Sequence, residues 1–187
     1  MATAPRYSEV MRTAYIGMGG NLASWAGEPA VTLADAVLCL ESLGRVTRRS
    51  SLYSTAPVGF AGQPRFVNAA VELETALEPR ALLNTLMAIE HEFGRTREGS
   101  IANGPRTLDL DLLLFGDLEI NEPGLVIPHP RLSERAFVLV PLVEIAPRVL
   151  VPTRGETVEQ LFSKLLASSP DNADAVLPMK NDAWAPR

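Results

Sequence analysis

Apolar residues recur along this chain in two successive strand–helix–strand patterns. In the second helical segment, Leu82, Leu86, Ile89 and Phe93 are spaced by three or four residues, as one buried helix face requires. The patterns predict strands over 12–19, 45–53, 65–75 and 107–115, and helices over 29–43, from 79 onward, over 135–145 and over 158–166. Because a half-apolar sheet must be covered by helices, this order predicts an α+β fold. The expected form is a ferredoxin-like split β-α-β sandwich, with helices on one face and appended C-terminal elements elsewhere.

The length of the chain predicts one domain, and its cysteine content and hydropathy bear on where it is located. The chain has 187 residues, enough for one domain with a substantial core. We expect a flexible N-terminal lead-in over 1–11, a single domain over 12–167 and a polar, frayed C-terminal tail over 168–187. The single cysteine, Cys39, excludes an internal disulfide framework, and no apolar stretch approaches 18 residues. A cytoplasmic location is therefore expected.

The charge balance weakens the case for polyanionic partners. Lys and Arg together number 17 and Asp and Glu 22, which gives a net charge of −5. An acidic chain is poorly suited to coat nucleic acid or an anionic membrane, so neither is expected as a partner. Most of the cations are arginines. Their forked guanidinium matches phosphate oxygens, so a local arginine cluster can still bind phosphate.

The predicted strand over 107–115 carries the most informative pattern. Asp109 and Asp111 alternate with leucines at 108, 110, 112 and 114, so the two carboxylates are expected on one face and the leucines on the other. Leu113 and Phe115 would continue the acidic face as apolar. Two carboxylates about 6.5–7 Å apart along a strand can share one or two Mg²⁺ ions and leave positions for substrate phosphates. A solvated strand face is the alternative for such a pair taken alone.

Three arginines precede the acidic strand. Arg95, Arg97 and Arg106 frame a glycine-containing loop, and only Glu98 opposes them there. Together with the two carboxylates they form the combination that phosphoryl transfer requires, because metal and guanidinium must neutralise charge on the migrating group. The chain lacks a P-loop, a third dinucleotide-fingerprint glycine, a zincin motif and a G-x-S-x-G elbow. A loop with three arginines could by itself be an ordinary surface loop.

Four further residues are weaker candidates. Glu90 lies one helical turn before Arg95 and could reach the loop, although a surface glutamate is the simpler interpretation. Phe66 and Asn68 share one strand face, where a ring and an amide could hold a heterocycle; a core phenylalanine is the alternative. His129, between two prolines, is by itself more typical of a structural residue.

Five motifs in the same order resemble the 6-hydroxymethyl-7,8-dihydropterin pyrophosphokinase family of folate biosynthesis. They are YIG at 15–17 with NL at 21–22, YSTAPVG at 53–59, FVNAAV at 66–71, GPRTLDLDLLLFG at 104–116 and IPHPR at 127–131. The resemblance extends over residues 14–166, and the run RTLDLD is highly specific.

The resemblance implies a ferredoxin-like fold and the transfer of pyrophosphate from ATP to the pterin hydroxymethyl group, with AMP as the other product. It implies that Asp109 and Asp111 hold two Mg²⁺ ions and that Arg95 and Arg106 stabilise the migrating group, which makes these four the expected catalytic residues. By the same resemblance the ATP-binding residues are Glu90, Arg97, Arg106, Leu112, His129 and Arg135. The pterin-binding residues are Thr55, Ala56, Val58, Phe66, Asn68 and Phe137, with the two rings sandwiching the pterin.

Other functions stay open at this point. A non-catalytic pterin- or nucleotide-binding module could share the fold, although binding alone would not need both aspartates and Arg95 with Arg106. A different metal-dependent nucleotidyl- or phosphotransferase would not need the pocket of Phe66, Phe137 and Asn68. The expected partners are ATP and the pterin, with a monomer as the expected state and contact with other folate-pathway enzymes left open. The acceptor of the hydroxyl proton is open between Asp109 and water.

Overall fold

The computed structural model describes residues 10–57, 62–96, 104–168 and 176–184. Its strands are β1 Arg12–Gly20, β2 Arg45–Arg49, β3 Leu52–Thr55, β4 Phe66–Thr75, β5 Asp109–Phe115, β6 Ile120–Glu122, β7 Leu125–Ile127, β8 Leu150–Val151, β9 Glu156–Thr157 and β10 Val176–Met179. Its α-helices are α1 Pro29–Glu41, α2 Pro79–Glu92, α3 Ala136–Ile145 and α4 Val158–Ser168. Both α1 and α2 begin at a proline, whose missing N–H and fixed φ suit the first helical position.

Six strands form one antiparallel sheet. Its order is β10-β3-β4-β1-β5, and β2 also pairs with β4. The two remaining strand pairs, β6 with β7 and β8 with β9, are short two-stranded hairpins. The predicted α+β class is therefore confirmed, with an antiparallel sheet and four helices in the described ranges. Within those ranges, no helix is both long and apolar enough to cross a membrane.

Successive residues of the central strands point to opposite faces of the sheet, and each face has its own core. Ile16 packs with α1 and α2 in one core, which we call the α1/α2 core. Tyr15, the preceding residue, packs with α3 and α4 in the other, the α3/α4 core. Because both faces of these strands are covered, most residues of β1 and β4 are buried and apolar, and the charged residues Arg12, Glu72 and Glu74 lie toward one end of the strand pair.

A β-bulge interrupts the alternation in β5. Tyr15 of β1 pairs with Leu114, but Ile16 pairs with Leu112, so β5 contains one residue more than β1 at this point. Beyond the bulge, Leu114 lies in the α3/α4 core and Phe115 in the α1/α2 core. The prediction that Leu114 shares a face with Leu112, and Phe115 with the aspartates, is therefore wrong. The strict period-two pattern on which it was based does not continue through an extra residue.

The C-terminal residues 176–184 are ordered against the sheet. β10 pairs with β3, and the side chain of Trp184 is only 5% exposed in the α1/α2 core. The expectation of a frayed tail is wrong for these residues, because an edge strand and a buried indole hold them. The predicted single strand over 45–53 is also corrected, since β2 and β3 are separated by a corner at Ser50 and Ser51.

We predict that two leucines of α1 contribute very differently to stability. Leu40 is fully buried, whereas Leu38 is 63% exposed. Leu40→Ala should lower the free energy of unfolding by about 2–5 kcal/mol, because it leaves a cavity in the α1/α2 core. Leu38→Ala makes the same change in helix propensity and should alter the free energy of unfolding by no more than about 0.5 kcal/mol. Urea unfolding of both variants measures the difference; equal effects would contradict this orientation of α1.

Candidate active site

A cavity of about 200 Å³ opens on the sheet face that α3 covers. It is lined by Gly19, Thr55, Ala56, Phe66, Asn68, Arg95, Arg106, Asp109, Asp111, His129, Arg135 and Phe137. Apart from Gly19, every lining residue is one that the sequence predicts for the site. The structure thus brings together residues from β1, β3, β4, β5, α3 and the segments that precede β5 and α3.

Two glycines of β1 lie opposite the acid pair. Gly17 pairs with Asp111 and Gly19 with Asp109, so no β1 side chain stands beside the carboxylates on this face. A Cβ atom at Gly19 would lie 2.6 Å from Oδ1 of Asn68, closer than real Cβ contacts occur. Gly19 is therefore needed for the close approach of Asn68, a role that the sequence analysis did not assign to it.

Both aspartates are paired with arginines. Asp109 accepts hydrogen bonds from Arg95 and, over 2.8 Å, from Nη1 of Arg106. Oδ2 of Asp111 lies 3.6 Å from Nη1 of Arg135. Ion pairs of this kind offset the cost of removing carboxylates from bulk water. The two predicted clamp arginines in the described ranges, Arg95 and Arg106, thus contact the carboxylate that they precede in sequence.

Glu90 is buried and forms an ion pair with Arg95. The residue is 2% exposed, and its carboxylate also accepts the backbone N–H of Leu110 over 2.8 Å. A buried carboxylate needs such partners, so Glu90 is not a surface residue. It joins the end of α2 to β5 and directs Arg95 toward Asp109. With Glu90 included, three carboxylates face the guanidiniums of Arg95, Arg106 and Arg135, so their formal charges balance.

The environment of Asp111 disfavours its ionised form. Burial raises the pKa of the Asp111 carboxyl, and the neighbouring charge of Asp109 raises it further, while His129, Arg135 and Arg95 act in the opposite direction. Burial likewise lowers the pKa of His129. The ionised form of a carboxyl group is disfavoured beside a second carboxylate and is favoured again when a cation binds between them. A pair of this kind is therefore suited to bind a cation.

The donor set also fits a hard divalent cation. Asp109 and Asp111 supply carboxylate oxygens on one face of β5, the ligand type that Mg²⁺ prefers. In the described part of the chain, no group of three or more His, Cys, Asp or Glu could hold a metal by itself. A cation held by these two carboxylates would need further oxygen ligands, such as water, to complete its shell.

The other half of the cavity has two aromatic rings and an amide. The guanidinium of Arg106 lies 5.2 Å from the ring centroid of Phe66, and that of Arg135 lies 5.6 Å from the ring centroid of Phe137. Nδ2 of Asn68 donates a hydrogen bond to Oγ1 of Thr55 over 2.7 Å. The rings and the amide line the same cavity as the carboxylates, so a flat heterocycle bound here would lie next to the acid pair.

His129 follows a cis Ile127–Pro128 peptide bond at the edge of the cavity. Its backbone N–H donates to the carbonyl oxygen of Leu113 over 2.8 Å, and its Nδ1 accepts the N–H of Arg131 over 3.2 Å. With Nδ1 as the acceptor, the proton of the neutral imidazole is on Nε2.

Within the described ranges, two predicted residues, Glu90 and Leu112, are not among those that line the cavity. The side chain of Leu112 is buried in the α1/α2 core, on the opposite sheet face, so its contact with ATP stays a prediction. Val58 and Arg97 lie outside the described residues, and their predicted roles likewise stay predictions.

The loop between β1 and α1 contains two residues, Asn21 and Trp25, whose contacts the sequence did not predict. Oδ1 of Asn21 accepts the backbone N–H of Arg106 over 2.9 Å and so fixes the start of the segment that leads into β5. Nε1 of Trp25 donates to the carbonyl oxygen of Glu92 over 3.0 Å, and its ring stacks on Phe93 at 5.2 Å. Asn21 was recognisable as the residue directly after a glycine pair, whereas nothing in the local pattern marks Trp25.

Comparisons with known proteins identify the family of this chain. The model of the 7,8-dihydro-6-hydroxymethylpterin-pyrophosphokinase family matches residues 15–147. The chain belongs to this pyrophosphokinase family. It is 46% identical over 136 residues to the 2-amino-4-hydroxy-6-hydroxymethyldihydropteridine pyrophosphokinase of Bacillus subtilis, covering 73% of this chain and 79% of that protein. It is 41% identical over 171 residues to the enzyme of the same name from Pseudomonas aeruginosa, covering 90% and 99%.

Solved structures support the fold of this pyrophosphokinase. The crystal structure of wild-type HPPK-DHPS from Plasmodium falciparum matches with a TM-score of 0.68 at 15% identity, over 87% of this chain and 46% of that one. The A437G form with SDX-DHP matches with a TM-score of 0.71 at 16% identity, over 91% and 49%. The chain thus spans about half the length of these two proteins, and at this identity the likeness concerns the fold alone.

We predict that Asp111→Asn stabilises the metal-free pyrophosphokinase at pH 7. The unfolded carboxyl has a pKa near 3.8 and the folded one a higher pKa. Between the two values the folded state holds more protons, so the free energy of unfolding falls as the pH rises through this window. Asparagine resembles the protonated carboxyl and avoids that loss, so Tm should rise by a few degrees in EDTA.

Thermal unfolding of the wild type and of Asp111→Asn at several pH values measures this effect. The difference in Tm should shrink as the pH approaches 3.8, where the carboxyl becomes protonated in both states. A difference that does not change with pH, or a variant less stable than the wild type at pH 7, would show that the pairing with Arg135 outweighs the cost of burial.

Proposed function

We propose that this pyrophosphokinase of folate biosynthesis carries out its reaction in the cavity between Asp109, Asp111, Phe66 and Phe137. The hydroxymethyl oxygen of 6-hydroxymethyl-7,8-dihydropterin forms a bond to the β-phosphorus of ATP. The bond from that phosphorus to the α,β-bridging oxygen breaks, and AMP leaves with the bridging oxygen. The observation that carries the proposal is that one cavity holds an acid pair, its arginines and a heterocycle pocket.

Asp109 and Asp111 are the residues that would hold the two Mg²⁺ ions. Their fit rests on oxygen donors on one strand face and on the raised pKa of Asp111, which a nearby cation would lower again. When bound, Mg²⁺ supplies positive charge that offsets the charge of the triphosphate during transfer. The two carboxylates orient the phosphates relative to the pterin by their position on β5. The acceptor of the hydroxyl proton is water or Asp109.

Arg95 and Arg106 would stabilise the migrating pyrophosphoryl group. Both guanidiniums are now paired with Asp109, so an exchange of partners accompanies substrate binding: the carboxylate turns to the cation and the guanidiniums turn to phosphate oxygens. A guanidinium keeps its charge at any physiological pH, and its fork suits bidentate contact with phosphate. Glu90 stays buried beneath Arg95 throughout and limits how far that side chain moves.

Arg135 and His129 are placed for the nucleotide, on the α3 side of the cavity. Arg135 is paired with Asp111 as Arg106 is with Asp109, so it undergoes the same exchange of partners. The neutral state of His129, favoured by its lowered pKa, makes Nε2–H a hydrogen-bond donor that carries no charge.

Phe66 and Phe137 would sandwich the pterin ring. Offset stacking on two aromatic faces suits a flat heterocycle. The hydrogen bond from Nδ2 of Asn68 to Thr55 fixes the orientation of the amide group. Its oxygen, Oδ1, can then accept a hydrogen bond from an amino or ring N–H group of the pterin. Ala56, next to Thr55 in the cavity wall, would contribute backbone groups.

We further assign the fold to the ferredoxin-like class. Four neighbouring strands of the sheet follow the order β3-β4-β1-β5, and the two crossover helices, α1 and α2, pack on the same face. This order supports a split β-α-β arrangement, in which each crossover leaves room for one strand between the two that it connects.

The identity of the nucleotide product tests the proposal. Incubation with MgATP and 6-hydroxymethyl-7,8-dihydropterin should give pterin-dependent AMP, measured by chromatography. Asp109→Ala and Asp111→Ala should lower its rate by on the order of 100-fold or more, since each removes an oxygen donor that acts on the migrating charge. Asp117→Ala is the matched control, because Asp117 is exposed on the turn after β5 and should keep wild-type turnover.

Each other outcome would contradict a named part of the proposal. ADP in place of AMP would indicate transfer of a single phosphoryl group. Pterin binding without nucleotide turnover would favour the non-catalytic module. Full activity of Asp111→Ala would remove the acid pair from the mechanism.

A further inference from the structure

We propose that the C-terminal segment from β10 to Trp184 fixes the position of β3, whose Thr55 forms one wall of the pterin subsite. In this proposal Trp184 is a positioning residue for pterin binding. Trp184 does not line the cavity and touches none of the reacting groups. The inference rests on the proposed function, because the pterin subsite is assigned there. It concerns the part of the chain that the sequence suggested was a frayed tail.

β10 closes the edge of the sheet at the strand that carries the pterin wall. It pairs with all four residues of β3, and Val176 pairs with Thr55, the last of them. Thr55 lines the cavity and accepts the hydrogen bond of Asn68. Without β10, the short strand β3 would have β4 as its only neighbour in the sheet and would expose a row of backbone groups. The position of Thr55 therefore depends on β10.

Trp184 holds the other end of β3. Its Nε1 donates to the carbonyl oxygen of Ser50 over 2.7 Å, at the corner where β2 ends and β3 is about to begin. The guanidinium of Arg49 lies 5.7 Å from the indole centroid. Ser50 is itself fully buried, and its Oγ accepts the N–H of Ala70 in β4 over 2.9 Å. The indole thus joins the C-terminal segment to a corner that is fixed on the central sheet.

The groups expected to act on ATP are held by other elements. Asp109 and Asp111 lie on β5, at the opposite edge of the main sheet from β10, and Arg95 follows α2. A small displacement of β3 should move Thr55, and through it Asn68, while leaving these three groups in place. Loss of the Trp184 contact should therefore weaken pterin binding selectively and leave the apparent affinity for ATP unchanged.

The test compares Trp184→Ala and Trp184→Phe with the wild type. Phenylalanine keeps a smaller aromatic ring in the core and removes the donor to Ser50, whereas alanine removes the ring as well. Because this hydrogen bond is within the protein, its net contribution sets an upper limit of about tenfold on the change in the pterin binding constant that its loss alone can cause. We expect the KM for the pterin to rise about threefold to tenfold in Trp184→Phe and more in Trp184→Ala, with the KM for ATP within about twofold. Leu38→Ala, at an exposed position on α1, is the control and should change neither KM.

The affinity of each variant for the pterin can also be measured without turnover, by calorimetry. The titration contains Mg²⁺ and the non-reactive analogue α,β-methylene-ATP. A selective loss of pterin affinity supports the inference. If the variants lower Tm but leave the ratio of the two KM values unchanged, Trp184 is merely a core residue and the inference fails. If Trp184→Ala does not fold, Trp184→Phe decides by the same ratio. A wild type that binds pterin but forms no AMP would overturn the proposed function instead, and calorimetry would still decide the role of Trp184.

Discussion

The charge balance around Asp109 and Asp111 is the constraint on which the rest of the site depends. Two neighbouring carboxylates with limited access to water would repel each other, and each would lose hydration. Arg95, Arg106 and Arg135 offset part of this cost by direct pairing. In the ligand-free site the formal charges of these three arginines balance those of Glu90, Asp109 and Asp111. A bound cation can replace the arginines as the partner of the aspartates, and phosphate groups can replace the aspartates as the partners of the arginines.

Backbone geometry determines where this charge can be placed. Gly17 and Gly19 leave the face of β1 open opposite the aspartates, and Asn21 fixes the segment that brings Arg106 to Asp109. The same face of the sheet carries Asn68 on the neighbouring strand, so the metal-binding and heterocycle-binding halves share one wall. Substrate orientation then follows from the sheet itself, which is more rigid than a site built from loops.

Much of this site could be predicted from the sequence because its signals are local. The alternation around Asp109 and Asp111 indicates a shared face, and the arginines precede them within one loop. The buried state of Glu90 could not be predicted in this way, since its partners lie on β5. The bulge in β5 depends on pairing with β1, and the anchoring of Trp184 depends on Ser50, 134 residues earlier in the chain. Such features result from tertiary pairing, which no local period encodes.

The exchange of arginine pairs for cation and phosphate is most directly tested by metal binding. Mn²⁺ suits the same oxygen donors as Mg²⁺ and can be titrated by electron paramagnetic resonance. Because Arg95 and Arg106 occupy Asp109 until phosphate attracts them, Mn²⁺ should bind about tenfold more tightly with α,β-methylene-ATP present than without it, and Asp111→Asn should lose that gain. Equal Mn²⁺ affinity with and without the nucleotide, corrected for Mn²⁺ bound by the nucleotide alone, would contradict the exchange.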